Sequence, residues 1–112
     1  MIQIPILDAN DQLIEVELDD ETYFLHVGWN SEAASWALEI ENYNRETIVA
    51  GIVMVPNTPL LALYRYRDVP AGELLVTMMD DTVQPGRDAF TAGAAALIYL
   101  TAAEVAARKA VA

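Results

Sequence analysis

Apolar and polar residues alternate with a period of two over most of this chain. Ile2, Ile4 and Ile6 share one face of a first short segment, and Pro5 marks it as an edge or terminal strand. Ile14, Val16 and Leu18 then face one way, against Leu13, Glu15 and Glu17 on the other side. Tyr23, Leu25, Val27 and Trp29 alternate with Phe24, His26 and Gly28, and Trp36, Leu38 and Ile40 with Ala37, Glu39 and Glu41. Such alternation predicts half-buried antiparallel strands with polar outer faces. The clusters DANDQ, DDE, NSEA and NYNRE between them are short enough for hairpin turns.

The pattern changes at TIVAGIVMV, residues 47–55, which is apolar on both faces and therefore predicted at the centre of the fold. Gly51 inside it marks a bulge or a close backbone approach. PNTP at 56–59 ends the run, because proline cannot donate to a ladder. LLALYRYR and ELLVTMM are predicted as two more strands around the turn VPAG. A longer loop from Asp80 to Gly93 precedes LIYL (97–100), a closing strand. Thr101 opens T-A-A-E, a capping box with Glu104 that predicts a short helix over 102–110. The sum is a mainly β chain: a small antiparallel barrel or sandwich of about eight short strands, with a short C-terminal helix. Residues 1–101 read as one all-β domain and 102–112 as an Ala-rich tail.

Composition adds an unusual pair of properties. The chain of 112 residues is 54% hydrophobic, with a positive mean hydropathy of +0.24, yet carries a net charge of −11. More apolar surface than a small globule easily hides favours a subunit that buries surface against partners. The charge is lopsided: residues 1–44 hold ten acids and no Lys or Arg, while 45–112 hold seven acids and six bases. An anionic face built from the first half repels nucleic-acid phosphates and suits a basic partner or simple solubility. With no cysteine, disulfides and thiolate chemistry drop out, as in a protein made in a reducing cytoplasm. No basic leader and no apolar run near ~20 residues is present, so a soluble chain without a signal peptide or membrane span is expected.

Candidate chemistry is sparse. His26, the single histidine, reads as structural; no serine or threonine spacing makes it a catalytic base, and no ligand spacing makes it a metal site. D-A-N-D-Q at 8–12 begins like a calcium loop but lacks the glycine at position six and the glutamate at position twelve, where Leu13 and Asp19 stand. Asp80, Asp81 and Asp88 could form a paired-carboxylate site, or could simply shape turns. No cofactor is expected. Tyr64, Arg65, Tyr66 and Arg67 interleave aromatic and cationic side chains. On a strand the tyrosines would point one way and the arginines the other, which segregates them and argues against a nucleic-acid platform. These four, with Phe90 in the long loop, are the candidate interface residues, being of the types enriched at protein interfaces.

Read in order, "IPI", a Leu/Glu strand, "YFLHVGWN", "SWALEIEN", "IVAGIVMVPNTPLL", a Tyr/Arg segment, "GELLV", "DAFTAG" and "LIYL" resemble the small baseplate plug family of contractile-tailed phages. The resemblance covers roughly residues 2–101, and "VPNTPLL" and "GELLV" carry it best. The family's acidic and aromatic segment after that strand becomes "TMMDDTVQPGRDAF" here. The resemblance implies a virion component at the centre of the tail baseplate. It implies contacts with the hub and spike or with the tail tube, a small symmetric copy number, and no catalysis. The acidic first half motivates an alternative, a DNA-mimicking inhibitor of a basic protein. A third reading, a small enzyme or ligand binder, would use Asp80, Asp81 and Asp88.

Overall fold

Asp19 and Asp20 close the first hairpin with φ of 50° and 67°. Two consecutive left-handed residues make a type I′ turn, whose twist matches the strands it joins, and aspartate is among the residues that tolerate that region. The structure is a computed structural model that describes residues 1–80 and 84–111, with side chains to residue 107. Its strands are β1 (Ile2–Ile4), β2 (Asp11–Leu18), β3 (Glu21–Asn30), β4 (Ser35–Glu41), β5 (Thr47–Val53), β6 (Glu73–Met78) and β7 (Ala95–Leu100). One helical turn, α1 (Ala89–Ala92), precedes β7, and α2 (Ala102–Val111) follows it.

β2 to β5 form a four-stranded antiparallel meander in chain order. The turns behave as their asparagines dictate: Asn30 Oδ1 accepts from the amides of Glu32 and Ala33, and Asn42 Oδ1 from those of Asn44 and Glu46. The second sheet has the order β1-β7-β6, so the last strand is its centre. The two sheets share one core, with Leu25, Val27, Trp36 and Leu38 from the larger and Ile4, Leu74, Leu97 and Tyr99 from the smaller. They are two separate antiparallel sheets, not closed into a barrel. The capping box forms as its spacing demands: the Thr101 amide donates to Glu104 Oε1 at 3.1 Å, and the Glu104 amide to Thr101 Oγ1 at 3.2 Å. Among the described residues no helix is long and apolar enough to cross a membrane.

Two expectations need correction. The run 47–55 is not central: β5 is an edge of the larger sheet. It reads as apolar on both sides because bulges change its phase. Leu38 pairs with Ile52 and Ile40 with Val49, so Ala50 and Gly51 together oppose Glu39. Ile48 and Val49 are consequently buried side by side, and Ala50 and Gly51 are both exposed. Gly51, at φ 76°, supplies the left-handed residue that such a bulge uses.

The second correction concerns LLALYRYR, which is not a strand. It winds through a 3-10 turn over Ala62–Tyr64 and further turns, which leaves seven strands among the described residues instead of eight. The Tyr64 amide donates to the Leu61 carbonyl at 3.0 Å and the Arg67 amide to that of Tyr64 at 2.9 Å. Successive i to i+3 bonds satisfy this backbone locally, so it needs no ladder.

Before that turn, residues 54–60 cross from one sheet to the other. The Met54 amide donates to the Trp36 carbonyl, the Asn57 amide to Val76 and the Leu60 amide to Leu74. Asn57, in the left-handed region at φ 55°, also donates from Nδ2 to the Met78 carbonyl at 3.1 Å. This strap covers the outer edge of β6 with a parallel bridge between Pro56 and Val76.

Candidate interaction surfaces

The Tyr/Arg segment is organised from beneath by Glu73. That residue is 8% exposed, and its Oε1 accepts from the amides of Leu61 (2.7 Å) and Leu74 (3.0 Å). Arg65 reaches back to the same carboxylate, with Nη2 at 3.2 Å from Oε2, and also donates to the carbonyls of Pro70 and Gly72. A buried carboxylate is tolerable only when paired and hydrogen-bonded in this way. Arg65 therefore clamps this turn to the start of β6. Gly72 beside it has no room for a side chain: an added Cβ would run into the Leu100 carbonyl oxygen and lie 2.6 Å from the Tyr99 hydroxyl.

The expected separation of tyrosines from arginines on two strand faces does not occur, because the segment is a turn. Tyr64 is half-buried against the core, and Arg67 lies over the Tyr66 ring at 5.6 Å while donating to the Ile48 carbonyl at 3.3 Å. What projects is Leu63, 81% exposed, and Tyr66, 77% exposed. Leu63 was invisible to period-two reasoning; a period of three, with Leu61 and Tyr64 inward, exposes it.

Phe90 lies elsewhere, packed against the core with its ring edge-on to Trp36 at 5.9 Å. Trp36 holds the end of the long loop in two further ways. Its Nε1 donates to the Gly86 carbonyl at 3.0 Å, and the Arg87 guanidinium sits over its ring at 5.4 Å. Arg87 also donates from Nε to Asn10 Oδ1 at 2.7 Å and pairs with Asp8 at 3.0 Å. The candidate carboxylate trio does not gather as a described site. Asp81 lies outside the described residues, and Asp88 is exposed at the start of α1.

The outer face of the larger sheet is acidic. In register across it run Leu13–His26–Glu39 and Glu15–Phe24–Glu41, with Asp11 and Glu17 at the two ends of β2. His26 sits between carboxylates, its Nε2 on Asp11 and its Nδ1 3.9 Å from Glu39. Arg45 donates from Nε to Glu41 at 2.6 Å and stacks over Phe24 at 4.9 Å. The Arg45 hydrogen bond holds the Glu41 carboxyl below the usual range. Among the described residues no group of three or more His, Asp or Glu side chains could hold a metal ion.

A last network ties the hairpin tip to the smaller sheet. The Tyr99 hydroxyl accepts from the Gly72 amide at 2.7 Å and donates to Asp19 Oδ2, which also accepts from the Ala102 amide at 3.0 Å. Burial, reinforced by that donation to Asp19, pushes the Tyr99 phenol well above its ordinary value.

The two motifs that carry the family resemblance thus have structural duties. "VPNTPLL" is the strap between the sheets, and "GELLV" supplies the glycine without space and the buried carboxylate. A comparison with curated proteins finds no match. A protein-family profile described as cyanophage baseplate Pam3 plug gp18 matches residues 1–102, from the first strand to the start of α2. The chain therefore belongs to this family of phage baseplate plugs, structural components of the virion tail.

Proposed function

We propose that this protein is a non-catalytic plug or adaptor at the centre of the tail baseplate. It is made in the host cytoplasm and assembled in a small symmetric copy number against the hub, the spike and the tail tube. The family membership over residues 1–102 carries the reading. The interface is assigned to the turn 62–67, where Tyr66 and Arg67 make contact beside the exposed edge of Tyr64. Arg65 holds that turn in shape, and Phe90, the fifth candidate interface residue, holds the end of the long loop elsewhere on the molecule. The exposure of Leu63 and Tyr66 on a backbone fixed by a buried carboxylate supports this choice, because a rigid aromatic loses little entropy on docking.

The test is mass in solution by light scattering, for the chain alone and mixed with candidate hub, spike and tube proteins. A discrete complex is expected, weakened at least tenfold by Tyr66→Ala. A chain that stays monomeric and ignores every tail protein overturns the reading. Competition between this chain and DNA for a basic protein would then decide for the inhibitor reading that the acidic sheet face motivates.

A further inference from the structure

Two sheets have four edges, and in this protein three of them are blocked. β1 is three residues long and is followed by Pro5. The strap covers β6 through the bonds from Asn57 and Leu60. β5 is broken by two register shifts and the left-handed Gly51. Short strands, covering segments and bulges are the devices by which edges are kept from pairing. The fourth edge has none of these three; its guard is the charge of Asp11, Glu15 and Glu17, which repels acidic strands and admits basic ones. β2 is eight residues long, regular in register throughout, free of proline and glycine, and paired only with β3 among the described residues.

β2 is also incompletely covered on its inner face. Ile14 and Val16 point toward the core but are only half-buried, whereas Leu18 at the end of the same strand is fully buried. Its outer face presents Asp11, Leu13, Glu15 and Glu17. In any strand added to β2, outer-facing residues sit opposite outer-facing residues, because side chains alternate with a period of two. A second copy of β2 would therefore set carboxylates against carboxylates, and like charges directly opposite are destabilising.

We propose that β2 is a docking edge for an extended segment of a partner protein that alternates Lys or Arg with aliphatic residues. The basic residues pair with Glu15 and Glu17 on the outer face, and the aliphatic ones complete the cover over Ile14 and Val16. Backbone hydrogen bonds supply affinity and the alternation supplies specificity, as in strand addition generally. The inference rests on the chain's role as an assembly subunit and names the chemistry of one of its partners.

The experiment uses the full chain and three octapeptides at low salt: one alternating lysine and isoleucine, one scrambled with the same composition, and one alternating but N-methylated at every second amide. The alternating peptide is expected to bind at least tenfold more tightly than the other two. It should also slow amide hydrogen exchange along residues 13–17, read by NMR. The double substitution Glu15→Lys, Glu17→Lys should lose that binding tenfold or more and gain binding to an alternating glutamate–isoleucine peptide. Equal binding of all three peptides, which is plain charge attraction, overturns the proposal. Protection at another edge, or unchanged affinity in the double variant, does so as well. No baseplate protein is needed, so failure here leaves the baseplate reading standing, and failure of co-assembly leaves this result interpretable.

Discussion

Glycine 72 and aspartate 19 show how single residues hold this fold together across long stretches of chain. Gly72 is demanded by space, because the Leu100 carbonyl and the Tyr99 hydroxyl occupy the position of a side chain. Replacing it by alanine forces the ends of β6 and β7 apart, and Gly72→Ala should cost about 2–4 kcal/mol in urea unfolding. A cost near zero would mean that the strand ends yield freely. None of this was legible from the sequence, where Gly72 is one member of a turn; the carbonyl that excludes a side chain comes from a strand 28 residues later. Asp19 was legible as a turn residue but not as the acceptor for Tyr99 and Ala102.

At the scale of elements, the meander was readable because each strand pairs with its sequence neighbour and its outer face is polar. The turns were readable because asparagine and aspartate satisfy their own backbones. The readings failed where a segment answers to tertiary partners. The phase of β5 is set by bulges against β4, so its apolar run imitated a buried central strand. The turn 62–67 imitated a strand because Tyr and Arg alternate, although its backbone bonds run i to i+3 and the Leu61 amide just before it goes to Glu73. Gly51 tests the bulge. An added Cβ there meets open space, so the penalty of a substitution comes only from φ 76°. Gly51→Ala should cost about 1 kcal/mol, and Gly51→Asn clearly less, because asparagine enters the left-handed region more easily. Equal losses for the two would show that the bulge relaxes when its glycine is replaced.

The whole molecule gathers two tyrosines into burial, and this sets its behaviour in alkali. Burial raises the Tyr99 and Tyr23 phenols above 10.0, helped by hydrogen bonds to Asp19 and Glu21 respectively. In the unfolded chain they ionise near the ordinary value, so above about pH 10 the unfolded state loses protons that the native state keeps. The stability they contribute is therefore complete below pH 10 and falls as pH rises beyond it, by up to about 1.4 kcal/mol per pH unit for each tyrosine. The urea midpoint measured from pH 9 to 11 should fall accordingly, and Tyr23→Phe should flatten the slope. A midpoint independent of pH over that range would show that neither phenol is held neutral by the fold.

The order β1-β7-β6 has a consequence for the time course of folding. The larger sheet is built entirely from neighbours in the chain, whereas the smaller one cannot gain its central strand until residues 95–100 are available to pair with residues 2–4. Local pairing forms ahead of distant pairing because closing a long loop costs entropy before any contact repays it. The meander should thus be the nucleus and the smaller sheet the late event. Leu38→Ala should mainly slow refolding, and Leu97→Ala should mainly speed unfolding, in stopped-flow chevrons. The reverse pattern would mean that the two ends of the chain meet first. If the expected order holds, a growing chain carries a half-finished molecule, with one face of the meander uncovered, until its last strand arrives.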